Sequence, residues 1–158
     1  GHHFLPHASG DLYCTVPPGH ALAGSKQVSA AEITRYPLIG IDPNDPYGRI
    51  MAGIFSRNRL DYNITIRARF GTTVCALVKA GLGIAIIDQF TVAHGGYPGI
   101  ELIKITEPTR FETYIAVKRG APLSLHVEYF IESLRAEMRA VEPSRGNGRA
   151  ASARGRKK

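Results

Sequence analysis

This 158-residue chain has little cysteine: two residues, Cys14 and Cys75. They fall inside predicted strand and helix rather than in a spaced framework. No disulfide scaffold is expected, and a reducing compartment is the default. No apolar run is long enough to span a bilayer, and no signal-peptide pattern opens the sequence, so a cytoplasmic protein away from membranes is expected. The six histidines and two cysteines show neither H-x-x-x-H nor C-x-x-C spacing. His20 and His94 stand alone in loops, so no metal or cofactor is expected. Gly81-Leu82-Gly83 ends a helix instead of opening one, and it is not G-x-G-x-x-G, which excludes a dinucleotide fingerprint. No internal repeat is visible.

Acidic residues are missing altogether from Pro143–Lys158, which carries Arg145, Arg149, Arg154, Arg156, Lys157 and Lys158. The net charge of +7 comes mostly from there, because removing six of the 20 basic residues leaves 14 against 13 acidic ones. The basic balance is therefore a property of a tail rich in Gly, Ala, Ser and Arg, with almost nothing to bury and expected to be disordered. Such a tail touches nucleic acid weakly and without sequence preference, by counterion release.

The whole chain is 44% apolar and long enough for one core. Gly1-His2-His3 is compatible with a tag remnant, and residues 1–11 read as a lead-in. Asp11–Val16 reads as a strand ended by Pro17-Pro18-Gly19. Ser29 with Glu32 three residues on is a capping box opening a short helix through Tyr36, which Pro37 stops. Pro37–Ile41 reads as a buried strand, and Asp42-Pro43-Asn44-Asp45-Pro46 as a loop. A helix follows from Pro46 or Tyr47, with Ile50, Met51, Ile54 and Phe55 on one face. Tyr62–Phe70 alternates as a strand. From Phe70 to Asp88, glycine, two threonines offering hydroxyl caps, an apolar helix face, a glycine stop and the unbroken run Ile84–Ile87 predict helix and then a strand covered on both faces. Ile100–Ile105 and Thr113–Val117 read as further strands. Ser124 caps a closing helix striped with Val127, Phe130, Ile131, Leu134, Met138 and Val141. Alternating strands and helices predict an α/β architecture with a largely parallel sheet.

Catalytic readings are weak. Cys75 lies in a first helical turn, but Val74, Ala76 and Leu77 around it fit a packed small residue better than a nucleophile. Asp42 and Asp45, flanked by prolines, fit turn and helix caps better than an acid dyad. What remains is a cleft of loop ends. In open α/β sheets ligands collect outside the carboxyl ends of strands. Helix starts at Tyr47 and Thr72 suit a carboxylate, and Asp42 and Asp45 suit an ammonium or guanidinium. That combination fits an amino-acid-like zwitterion.

At these residues the chain resembles the effector-binding domain of LysR-type transcriptional regulators. The blocks are L-Y-C-T-V-P-P-G-H-A-L-A (Leu12–Ala23), A-E-I-T-R-Y-P-L-I (Ala31–Ile39) and A-L-V-K-A-G-L-G-I-A-I-I (Ala76–Ile87), within about residues 10 to 140. D-P-Y-G-R (Asp45–Arg49) with T-V-C-A-L-V-K-A-G-L-G (Thr73–Gly83) is similar to the branch regulating lysine, arginine and opine metabolism. The resemblance implies an α/β, periplasmic-binding-protein-like (type 2) domain of two subdomains flanking an effector cleft. It places residues 12–100 in a complete second subdomain and 101–142 in a remnant of the first, with 143–158 as the tail. It implies effector contacts from Pro43, Asn44, Asp45, Pro46 and Tyr47 and from Thr72 and Thr73. The family's helix-turn-helix and most of the first subdomain have no counterpart in these residues, so DNA contact would run through a part outside them. A homodimer or tetramer is implied. A solute-binding protein of a transport system shares the fold and is the alternative, set against by the lack of a signal peptide; an enzyme would need an acid, base or nucleophile that was not found.

Overall fold

A computed structural model describes residues 1–93 and 97–140 of the chain. The basic tail, Val141 of the closing stripe and His94 lie outside them. In chain order the elements are β1 (His2–Gly10), β2 (Leu12–Val16), β3 (Gln27–Val28), α1 (Ala30–Ile33), β4 (Leu38–Ile41), α2 (Pro46–Arg57), β5 (Ile64–Ala68), α3 (Gly71–Lys79), β6 (Ala85–Asp88), β7 (Glu101–Ile105), β8 (Phe111–Lys118) and α4 (Leu125–Ala140).

Local chemistry sets most of these boundaries. Ser29 Oγ accepts from the Glu32 N–H while Glu32 accepts from the Ser29 N–H, closing the capping box that starts α1. That helix is one turn long, shorter than the run to Tyr36 that the sequence implied. Thr34, Arg35 and Tyr36 instead tighten into turns ahead of Pro37. Asp45 caps α2 by accepting from the Tyr47 N–H, with Pro46 in the first helical position. Beyond α3, Gly81 adopts φ +78 and Gly83 φ +157. A Cβ on Gly83 would stand 2.6 Å from the Pro37 carbonyl oxygen, so only glycine allows β6 to approach β4.

The main sheet has the order β3-β7-β2-β6. Its far side continues through a parallel bridge between Leu38 and Ile84 into the parallel pair β4–β5. Ile39 N–H donates to Ile84 O (2.9 Å) and Ile84 N–H to Pro37 O (3.0 Å) at this seam. β2 runs antiparallel to both β6 and β7, so the sheet is mixed rather than largely parallel. β7 belongs to this sheet, pairing with β2 on one side and β3 on the other.

One face of the sheet packs on α1 and α2 through Leu12, Cys14, Val28, Ile33, Ile54 and Phe55. The other packs on α3 through Ile39, Ile41, Val74, Cys75, Val78 and Ile87. All four β6 residues are buried, as the unbroken apolar run predicted for a strand covered on both faces.

Residues 1–11, read as a lead-in, carry β1, which pairs antiparallel with β8 from His2↔Lys118 to Gly10↔Phe111. α4 packs against this ribbon. Within α4 only Ile131 is buried. The rest of its expected stripe is partly open, Val127 and Phe130 lying exposed.

Candidate functional site

Three parallel strands deliver their carboxyl ends to one edge of the sheet: β4 at Ile41, β5 at Ala68 and β6 at Asp88. The loops that leave them are the Asp42–Asp45 turn, the entry to α3, and the segment from Asp88 to Thr91. Gathering at strand carboxyl ends is the arrangement that collects ligands in α/β sheets.

The first loop is satisfied from within the chain. Asp42 Oδ1 accepts from Asn44 N–H (2.9 Å) and Nδ2 (3.0 Å), and Oδ2 faces Arg67 Nη1 at 3.3 Å. The Asn44 N–H and then the Arg67 charge hold the Asp42 carboxyl below its usual value. Asp45 is spent on the α2 cap. Both acids proposed for an ammonium thus already have partners in this chain, and Asp42 holds a guanidinium of the chain itself.

Tyr47 ties that loop to the β6 end. Its hydroxyl donates to Asp88 Oδ2 in a short hydrogen bond and lies 3.2 Å from Thr91 Oγ1. Asp88, 4% exposed, also accepts from the N–H groups of Phe90 and Thr91 (2.9 Å each) and from Thr91 Oγ1 (2.6 Å). Four donors leave this buried carboxylate fully engaged, so it positions its neighbours. Burial, reinforced by the Asp88 hydrogen bond, drives the Tyr47 phenol far above its ordinary value and keeps it a donor. Cys75, buried below, is pushed up to about 11 by burial and by Asp88, which makes it an inert thiol.

The third component is the start of α3. Phe70 occupies the N-cap position and supplies no side-chain hydrogen bond. Thr72 and Thr73 therefore stand inside the first turn as exposed residues and do not cap it, contrary to the sequence expectation. A first turn without a side-chain cap presents N–H groups and the positive end of the helix dipole to an incoming anion. Gly71 presses this turn onto the cluster: a Cβ there would come within 3.2 Å of Thr91 Cγ2 and 3.1 Å of Ile87 Cδ1.

Among the residues expected to bind, Tyr47 is half-buried in the cluster and Pro43 half-buried beside it in sequence, while Asn44, Asp45 and Pro46 are exposed. Asp88 and Thr91 were missed. The signal was an aspartate directly after the apolar run Ile84–Ile87, at the carboxyl end of a buried strand.

These features define the class: an α/β ligand-binding domain of the periplasmic-binding-protein-like kind, its loops gathered at strand ends around a helix start. The chain belongs to the LysR substrate-binding domain family, whose pattern matches residues 1–139. It is 24% identical over 126 residues to the transcriptional activator protein LysR of Escherichia coli strain K12, covering 80% of this chain and 40% of that protein. The fold matches the Synechocystis PCC6803 CcmR regulatory domain in complex with 2-PG at a TM-score of 0.73 and 19% identity, covering 88% of this chain and 68% of that one. It also matches the effector-binding domain of QuiR in complex with shikimate, at a TM-score of 0.71 and 19% identity over 87% of this chain and 66% of that one. The chain spans about two-fifths of the length of the curated relatives it matches. Among the described residues no helix is long and apolar enough to cross a membrane.

Proposed function

We propose that this chain is the effector-sensing part of a bacterial transcription regulator and has no catalytic role of its own. It binds a small metabolite at the sheet edge, and the bound state shifts a conformational equilibrium felt by a DNA-binding part outside these residues. The observation that carries the reading is the α3 start without a side-chain cap, pressed by Gly71 against Thr91 and next to the Tyr47–Asp88 hydrogen bond. The ligand contacts are Pro43, Asn44, Asp45, Pro46 and Tyr47 on one side and Thr72 and Thr73 on the other. That two fold relatives carry small molecules, 2-PG and shikimate, supports a small-molecule effector here.

The site favours the carboxylate half of a metabolite, since Asp42 and Asp45 are engaged within the chain. An amino-acid-like effector is the narrower form of the proposal, with its ammonium group displacing Arg67 from Asp42. A cytoplasmic location and assembly as a homodimer or tetramer complete it, with DNA reached through a helix-turn-helix outside this chain. The division into subdomains, 12–100 and 101–142, is supported by the β1–β8 ribbon forming a sheet of its own.

Thermal-shift titration of the chain with lysine, arginine and a panel of small carboxylates tests the reading. A saturable rise in Tm with at least one of them, weakened about fivefold or more by Thr72→Val through one lost hydrogen bond, is expected. No shift with any member, or equal shifts in Thr72→Val, would overturn it.

A further inference from the structure

We propose that a bulge in β1 builds a second ligand site, a niche for a small organic carboxylate, between the β1–β8 ribbon, the end of α4 and the loop after β6. The ladder slips between Pro6 and Ala8, leaving His7 without a partner across the strand. Bulges of this kind bend the strand and re-aim a side chain. The His7 ring turns toward α4, where Nε2 meets Met138 Sδ, and its buried Nδ1 has no hydrogen-bond partner. That nitrogen is closed off from solvent, so the ring serves the niche as a packed wall.

Around the bulge lies an open cavity of about 390 Å³ lined by His7, Ser9, Gln89, Arg110, Glu112 and Arg139, with Ala8 and Met138 as its apolar wall. That volume suits a small metabolite. Its lining carries two arginines, Arg110 and Arg139, against one acid, Glu112, so the niche has an excess of positive charge, and planar guanidinium forks match a carboxylate's two oxygens. Its walls are held in place. Arg110 Nη2 donates to Ser9 Oγ, while Arg135 donates to Pro6 O (3.0 Å) and to Glu132, fastening α4 to β1. The carboxylate would rest on Arg110 and Arg139, and its body on Ala8 and Met138.

Gln89 gives this niche a link to the loop described above. Its Oε1 accepts from Asp11 N–H (2.8 Å) and its own N–H donates to Asp11 O (3.1 Å), while its neighbours Asp88 and Thr91 hold Tyr47. A ligand in the niche therefore bears on the same loop.

Amide NMR of the full chain titrated with butyrate, with inorganic phosphate and with butylammonium tests the proposal. Butyrate should give saturable shifts at His7, Ala8, Ser9, Gln89 and Arg110, with phosphate weaker and butylammonium without effect. Replacing both Arg110 and Arg139 with Met, at exposed positions, should weaken butyrate binding about tenfold or more. Glu112→Gln should tighten it about threefold by removing the opposing charge. Shifts that do not saturate, that survive the double replacement, or that fall on Thr72 and Thr73 in place of His7 and Ser9 would overturn the site. Phosphate binding as well as butyrate would overturn its assignment to an organic carboxylate, and a Glu112→Gln variant that binds no tighter would contradict the charge argument.

Discussion

Gly48→Ala should destabilise the protein although alanine is the better helix former. Gly48 sits in the first turns of α2, where its α-carbon rides directly over the end of β4. An added Cβ would stand 2.1 Å from the Asp42 carbonyl oxygen and 2.9 Å from that of Ile41. The shorter contact falls about 1.3 Å inside an ordinary 3.4 Å approach, and the obstacle is backbone, which cannot swing aside. Overpacking of this kind costs about 1–3 kcal/mol, and the absence of a flexible partner puts this case at the upper end. Alanine's helix preference returns about 1 kcal/mol. A net loss of about 2 kcal/mol lowers Tm by about 4–8 °C for a chain of this size. Gly53 on the same helix is the control. Its Cβ would meet only the Arg57 Nη1 at 2.8 Å, the free end of an exposed side chain. Gly53→Ala should raise Tm by about 2–4 °C. Thermal unfolding followed by far-UV circular dichroism reads both. The reasoning fails if Gly48→Ala is as stable as the parent, or if the two variants move in the same direction.

Other outcomes follow from the same contacts. Tyr47→Phe removes the donor to Asp88 and Thr91 and should cost about 1.5–3 kcal/mol in urea unfolding, the range for hydrogen bonds to a charged group. Ser29→Ala opens the capping box and should cost about 1 kcal/mol by the same measurement. Asp42 has a lowered folded value, so its stabilisation is present above the ordinary carboxylate range and lost as pH falls through the folded value. Asp42→Asn should flatten the acid limb of a stability–pH profile. Burial pushes the Cys14 thiol up to about 12 from 9.0. Stability is therefore complete below about pH 9 and declines towards pH 12, and a thiol reagent should find neither cysteine until the protein is unfolded.

The sequence was most readable where a single local signal decides the structure. The Ser29–Glu32 box, the Asp45-Pro46 start of α2 and the Ile84–Ile87 run each specify their element without help from distant residues. β1 was not readable, because His2–Gly10 contains a proline, three histidines and no regular alternation. Its strand state comes from pairing with β8, more than a hundred residues away. The antiparallel placement of β2 was hidden for the same reason: alternation of strands and helices fixes the class, while direction depends on which distant strand is the neighbour. At the site, the Asp42–Tyr47 loop announced itself through prolines and aspartates. The α3 start was misread, since Phe70, a residue without a capping oxygen that lies two residues ahead of Thr72, takes the N-cap position that the threonines were expected to fill. Asp88 and Thr91 went unnoticed because they precede no helix cap and form no motif. Only the fold brings them against Tyr47.

The central claim is that a small metabolite binds between the Asp42–Tyr47 loop and the start of α3. Whichever amino acid or carboxylate raises Tm should be titrated into the isotope-labelled chain and its amide shifts mapped. The account predicts saturable shifts concentrated at Asn44, Asp45 and Tyr47, at Gly71, Thr72 and Thr73, and through the Asp88–Thr91 loop. Shifts confined to other surfaces, with these residues unmoved at saturation, would contradict it.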